Sequence, residues 1–121
     1  MAETAETLSH QTVSGYMEEC YTESIYNAAQ LRAELWEGRG NPEWKLKQFY
    51  NSFFQLFALT KYRVEMKSKD TIPMIQQIEE WFELKLDAKD RGKTVKMGEI
   101  GIDYFNEWLK LLSKTGILVV K

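Results

Sequence analysis

Residues Pro42 to about Lys67 repeat apolar side chains at the spacing of an α-helix, and this repeat limits the possible folds more than any other feature of the sequence. At about 100° per residue, eight residues of the repeat fall within one stripe of the helix surface. The stripe consists of Leu46, Phe49, Tyr50, Phe53, Leu56, Phe57, Thr60 and Val64. Phe54 and Leu59 widen it on opposite flanks. An apolar surface this broad is typical of a helix that other helices contact from more than one side.

The sequence predicts another helix before this segment, from about Gln11 to Glu37. Its apolar and small residues recur at alternating steps of four and three, the spacing of a helix packed lengthwise on another. These residues are Met17, Tyr21, Ser24, Ala28, Leu31 and Leu35. Gly38 and Gly40 predict its end, because Gly adopts the left-handed conformation of a C-cap without steric cost. Asn41 then supplies an N-cap for the helix that begins at Pro42.

Two more helical patterns follow, one from about Thr71 to Lys89 and one from about Gly101 to Lys114. The inward residues of the two patterns are Ile75, Ile78, Phe82, Leu86, Ile102, Phe105, Trp108, Leu109 and Leu112. Between the patterns, residues 94–98 fit a short extended segment or loop as well as a helix start.

Both ends of the chain differ from these helical patterns. Residues 1–10 are polar and small, which predicts a flexible tail. Residues 117–121 are too apolar to lie in water, so we expect them to pack on this domain or on a second copy. The predicted fold is therefore all-α, an antiparallel four-helix bundle in a single domain, residues 1–121.

One cysteine and one histidine limit the chemistry of this chain. Nucleophilic catalysis needs a base beside the nucleophile, whereas His10 lies in the predicted tail and Cys20 among core-facing positions. A zinc site needs three or four ligands of these kinds. We therefore assign no catalytic, metal-binding or cofactor-binding residue and expect no cofactor. A lone cysteine favours a reducing compartment, and no run approaches the roughly 18 apolar residues of a membrane span, so we expect a cytoplasmic protein away from membranes.

Acidic residues form two clusters in the second half of the chain. Glu80 and Glu83 precede Glu99 and Asp103, an arrangement that loosely resembles the Mg²⁺-binding clusters of the all-α nucleotide pyrophosphatases. Four lysines lie close to these acids in the sequence: Lys85, Lys89, Lys110 and Lys114. A solvated face with ion pairs between successive turns explains the same pattern, and we keep a Mg²⁺-dependent enzyme as the weaker alternative.

Basic residues are concentrated near two predicted turns. They are Lys61, Arg63, Lys67, Lys69, Arg91 and Lys93. Together they would bind nucleic-acid phosphates if both turns lay at one end of the bundle. Successive turns of an up-down bundle lie at opposite ends, and the net charge is −2, so nucleic-acid binding is an alternative that we do not favour.

Trp44 and Tyr62 are the clearest candidates for a contact surface. They are 18 residues apart, about five helical turns, and so share the side of the helix opposite Phe53. Large amphipathic rings on a polar face are typical of protein–protein contacts. The full set of interface candidates is Trp44, Phe54, Leu59, Tyr62, Ile117, Leu118 and Val119. We therefore expect a non-catalytic protein-binding or assembly module that forms a homodimer or binds a protein partner.

Overall fold

A computed structural model describes the backbone of residues 5–38, 40–84 and 90–118, and the side chains of those from residue 15 onward. Four α-helices account for most of these residues: α1 (Ala5–Glu37), α2 (Pro42–Lys67), α3 (Ile72–Glu83) and α4 (Arg91–Lys114). A short 3-10 helix, Lys69–Thr71, joins α2 to α3. The described part of the chain contains no strand, which confirms the predicted all-α class.

The turn between α1 and α2 forms as the sequence predicts. Gly38 has a φ of +68°, and its N–H donates to the Glu34 carbonyl at 2.9 Å. The Asn41 side chain accepts a hydrogen bond of 3.1 Å from the Trp44 N–H. These local signals explain why the predicted bounds of the second helix, Pro42–Lys67, are the observed ones.

The middle of the bundle is occupied by α2, which contacts the other three helices. On one side it packs antiparallel to α1, and Asn27 Nδ2 donates to Ser52 Oγ at 3.1 Å. On the other side Tyr50 meets α3 and donates its hydroxyl hydrogen to the Phe82 carbonyl. Lys67 Nζ, at the end of α2, donates to the Thr115 carbonyl just past the end of α4, so α2 and α4 run parallel. This order of directions is that of an up-down bundle.

An aromatic cluster forms the core where α2, α3 and α4 meet. The Phe53 ring centroid lies 4.9 Å from that of Phe82 and 5.3 Å from that of Phe105. Trp108 is fully buried, and its Nε1 donates to Thr60 Oγ1 at 2.9 Å. The inward positions predicted for α2 and α4 are therefore buried or half-buried, as expected.

Residues 94–98 are helical, so of the possibilities that the sequence left open for this stretch the helix start is the observed one. The fourth helix begins at Arg91, because the Asp90 carboxylate caps it and accepts from the Lys93 N–H at 3.1 Å. The Thr94 hydroxyl donates to the Asp90 carbonyl at 3.2 Å and strengthens the same turn.

The two glycines of this stretch permit close packing and do not break the helix. A Cβ on Gly98 would lie 3.1 Å from Leu35 Cδ1 of α1. A Cβ on Gly101 would overlap the indole ring of Trp81 in α3. Tertiary contacts with α1 and α3 thus override the low helix propensity of Gly.

Two other helix boundaries differ from the predicted ones. Residues 5–10, predicted as part of a flexible tail, belong to α1, because a helix extends readily through residues that include neither Gly nor Pro; residues 1–4 lie outside the described residues. The third helix ends at Glu83, and Leu84 is extended. The predicted inward position of Leu86 also lies outside the described residues.

Candidate functional site

The outer face of α2 exposes large side chains along its whole length. Trp44 is 58% exposed and Tyr62 70% exposed, about 27 Å apart along the helix axis. Both lie opposite the buried Phe53, as the spacing predicts. Met66, 84% exposed, lies one turn beyond Tyr62 and was not among the predicted interface residues.

Phe54 lies at the edge of this face, in a groove between α2 and α3 with a volume of about 270 Å³. Its ring is parallel to that of Tyr50, with centroids 6.3 Å apart, and perpendicular to that of Phe82. Burial raises the pKa of Tyr50 above its ordinary value, and the nearby Glu83 carboxylate raises it further. Phe54 is therefore partly covered by α3 and is less available to a partner than Trp44 or Tyr62.

Three other predicted interface residues lie against the core of their own chain. Leu118 is only 9% exposed and belongs to the core of its own chain, which agrees with the first of the two expectations for the tail, packing on this domain or on a second copy. Gly116, with a φ of +72°, turns the chain back, and the Ile117 N–H donates to the Leu112 carbonyl at 3.0 Å. Leu59 and Ile117 are half-buried against the same core. Val119 lies outside the described residues.

The basic candidates do not form one patch. Lys67 lies where α2 and α4 end, whereas Arg91 Nη2 donates to the Gly38 carbonyl at the opposite end of the bundle. Since α2 is about 39 Å long, the two groups are separated by most of the molecule. Lys69 is exposed near the first end and Lys93 near the second, and Arg63 is exposed on α2.

Lys61 is engaged within the chain rather than free to bind phosphate. Its Nζ donates to Glu79 Oε2 of α3 at 2.7 Å. This hydrogen bond raises the pKa of Lys61 above its ordinary value of 10.5, although partial burial opposes the shift. The basic residues considered as phosphate ligands therefore lie far apart, and Lys61 is already paired with a carboxylate.

The acidic candidates are separated as well. Glu80 and Glu83 lie on α3, whereas Glu99 and Asp103 line a groove between α1 and α4 on the opposite side of the bundle. Within the described residues, no group of three or more His, Cys, Asp or Glu side chains is arranged to hold a metal ion. The geometry thus gives the Mg²⁺-dependent alternative no support.

Cys20 is buried in α1, as its core-facing position predicts. Its thiol donates to Gln55 Oε1 at 3.6 Å. Burial raises the pKa of the thiol above its ordinary value of 9.0, so the reactive thiolate is disfavoured at neutral pH. The side chain of His10 lies outside the described residues.

The face between α1 and α4 was missed by the sequence predictions. Trp36, at the end of α1, is 89% exposed, and Ile25 is 40% exposed farther along the helix. Beside Trp36, a groove of about 500 Å³ has Leu35 and Ile102 as its apolar residues. The signal for this face was present, since Trp36 lies four residues from Arg32 and eleven from Ile25, a spacing that places all three on one side of a helix.

Comparison of this chain with protein-family models, with curated proteins and with solved structures finds no match. Its class therefore follows from the fold: an all-α bundle with exposed aromatic faces. Among the described residues, no helix is both long enough and apolar enough to cross a membrane.

Proposed function

We propose that this protein is a non-catalytic protein-binding module that self-associates and presents the outer face of α2 to a protein partner. The observation that carries the proposal is the exposure of Trp44 and Tyr62, which remain 58% and 70% exposed although the bundle has a closed aromatic core. Exposed aromatic anchors of this kind dominate the energetics of many protein interfaces, because they bury a large area at a low cost in side-chain entropy.

The surroundings of these two side chains suit a contact surface. Between them lie the exposed residues Asn51, Gln55 and Ala58, which are small or polar. Interfaces are enriched in aromatic residues and their centres are depleted of charged ones, and none of these three intervening side chains carries a charge. We place the protein in the cytoplasm, since its lone cysteine provides no internal disulfide.

Neither alternative function is favoured by a specific observation. Nucleic-acid binding would need the basic residues at one end of the bundle, and Lys67 and Arg91 lie at opposite ends. A Mg²⁺-dependent enzyme would need Glu80 and Asp103 near one another, and they lie on different sides of the bundle.

Self-association is tested by measuring the solution mass by light scattering over about a hundredfold range of concentration. We expect a dimer that dissociates on dilution. A monomeric mass at every concentration would contradict self-association.

The role of the outer face of α2 is tested by capture of proteins from cells of the native host, with Tyr62→Glu compared against Tyr26→Glu. Tyr26 is 60% exposed on α1 and provides a matched control. We expect the wild type and Tyr26→Glu to retain the same protein and Tyr62→Glu to lose it. Equal retention by all three would show that this face does not bind the partner.

A further inference from the structure

The groove between α2 and α3 is lined mainly by aromatic rings. Its apolar walls are formed by Tyr50, Phe54, Phe57 and Phe82, of which Phe54 is the most exposed, at 47%. The ring centroids of Phe54 and Phe57 lie 5.2 and 5.4 Å from that of Phe82, so the walls are packed on one another. The volume of about 270 Å³ is below the roughly 300–1,000 Å³ of a site for a drug-sized ligand, and it suits a single side chain.

The charged residues that line the groove leave an excess of negative charge. They are Lys61, Glu79 and Glu83. Lys61 Nζ donates to Glu79 Oε2 at 2.7 Å, so these two charges offset each other. Glu83 is exposed and takes part in no ion pair among the described residues. On the same side of α2, Lys47 pairs with Glu43 at 3.6 Å and leaves the excess unchanged.

The end of α3 makes this region more negative. The helix ends at Glu83 and carries Glu79 and Glu80 just before it, with no basic residue in its last turn. Because the C-terminal end of a helix bears a partial negative charge, acidic residues are unfavourable there and a cation is favourable. Across the groove, Glu65 of α2 adds another negative charge near Lys61. The charge of this region therefore favours a cationic occupant.

We propose that the groove between α2 and α3 receives an arginine side chain of a protein partner. The guanidinium group stacks on the exposed ring of Phe54 and donates to the Glu83 carboxylate, and the methylene groups lie along the aromatic walls. Arginine suits this groove better than lysine, because its planar and weakly hydrated cation stacks on aromatic rings and donates two parallel hydrogen bonds to one carboxylate.

The groove adjoins the outer face of α2, and this inference rests on the function proposed for that face. Ala58 lines the groove and is also one of the exposed residues between Trp44 and Tyr62. A partner bound to the outer face of α2 can therefore reach the groove with one side chain. The two aromatic anchors then supply apolar contact, and the groove adds a preference for a partner with a basic residue at this point.

Binding of N-acetyl-arginine methylamide, followed by NMR, tests the groove independently of the partner. At low salt we expect saturable shifts at Phe54 and Glu83 with half-saturation in the millimolar range, and none with the uncharged citrulline analogue. Glu83→Gln should raise the dissociation constant at least about threefold, because it removes the charge of the acceptor. Phe54→Leu should raise it at least about twofold, because it removes the aromatic face.

Glu80→Gln is the matched control for Glu83→Gln. It removes the same charge from the same end of α3, but Glu80 does not line the groove, so the dissociation constant should change little. Thermal melting of each variant establishes that it is folded. Weaker binding in Glu83→Gln and Phe54→Leu, together with wild-type binding in Glu80→Gln, supports the arginine site.

The other outcomes distinguish this site from the partner surface. No saturable shift by about 50 mM probe, or equal binding of the citrulline analogue, overturns the arginine site and leaves the capture experiment with Tyr62→Glu to decide the partner surface. Equal weakening by Glu83→Gln and Glu80→Gln also overturns it, since overall charge alone then attracts the probe. Expected binding of the probe with full retention of the partner by Tyr62→Glu contradicts the proposed outer face alone.

Discussion

Replacement of Gly101 by Ala tests a close contact between α4 and the Trp81 side chain of α3. A Cβ at this position would overlap three atoms of the Trp81 indole ring. The ring has little freedom to move: Trp81 is 2% exposed, its Nε1 donates to the Met97 carbonyl at 3.0 Å, and its centroid lies 5.1 Å from that of Phe82. The added methyl group therefore forces a shift of α3 or α4.

The expected free-energy change is the sum of two opposing effects. Overpacking of a filled core costs about 1–3 kcal/mol, and an overlap with a ring held on several sides belongs at the upper end. Replacing Gly by Ala inside a helix contributes about 1 kcal/mol of stability. We therefore expect Gly101→Ala to lower the free energy of unfolding by about 2 kcal/mol. At about 2.1 cal/mol/K of unfolding entropy per residue, this corresponds to a Tm lower by about 8 °C.

Gly98→Ala is the matched control on the same helix. Its Cβ would meet the flexible end of Leu35 at 3.1 Å, so the gain in helix propensity should leave the stability within about 0.5 kcal/mol of the wild type or above it. Urea unfolding followed by circular dichroism measures both variants, with an unchanged m-value as the sign of two-state behaviour. A Gly101→Ala protein as stable as the wild type would refute the close packing of α4 on Trp81.

Two other predictions concern polar groups in and beside the core. Thr60→Val removes the acceptor of the buried Trp108 N–H, so urea unfolding should show a free energy of unfolding lower by about 1–3 kcal/mol. If Thr60→Val costs as much in a chain that already carries Trp108→Phe, the lost hydrogen bond is not the cause. Glu79→Gln weakens the partly exposed pair with Lys61 and should cost less than about 1 kcal/mol at neutral pH. Because the ion pair raises the pKa of Lys61, its contribution to stability is complete below the ordinary value of 10.5 and disappears as the pH rises through the raised pKa. Unfolding curves of the wild type and Glu79→Gln should therefore differ at neutral pH and coincide at strongly alkaline pH. A difference that persists at strongly alkaline pH would contradict this reasoning.

The parts of the fold that local signals determine were predictable from the sequence. The Asn41 cap, Pro42 at the first helical position and Gly38 at the preceding C-cap act within a few residues of one another, and the bounds of α2 follow from them. The exposure of Trp44 and Tyr62 follows from helical periodicity alone, since both lie opposite the buried stripe.

The errors arise where distant residues decide the outcome. Gly98 and Gly101 lower local helix propensity, and only the packing of Leu35 and Trp81 explains why the helix continues through them. For the apolar Leu118 the sequence left open whether it packs on this domain or on a second copy, and only the turn at Gly116 shows that it lies in the core of its own chain. Neither contact leaves a signal in the neighbouring sequence.

The start of α4 also explains why the α1–α4 face was missed. With a helix beginning near Gly101, Lys96 and Glu99 lie outside it, and their helical spacing to Asp103 is not counted. Once the Asp90 cap extends the helix back to Arg91, Lys96 and Glu99 join Asp103, Lys110 and Lys114 on one continuous surface. A helix boundary thus determines which charged side chains are assigned to one helical surface and which to a loop.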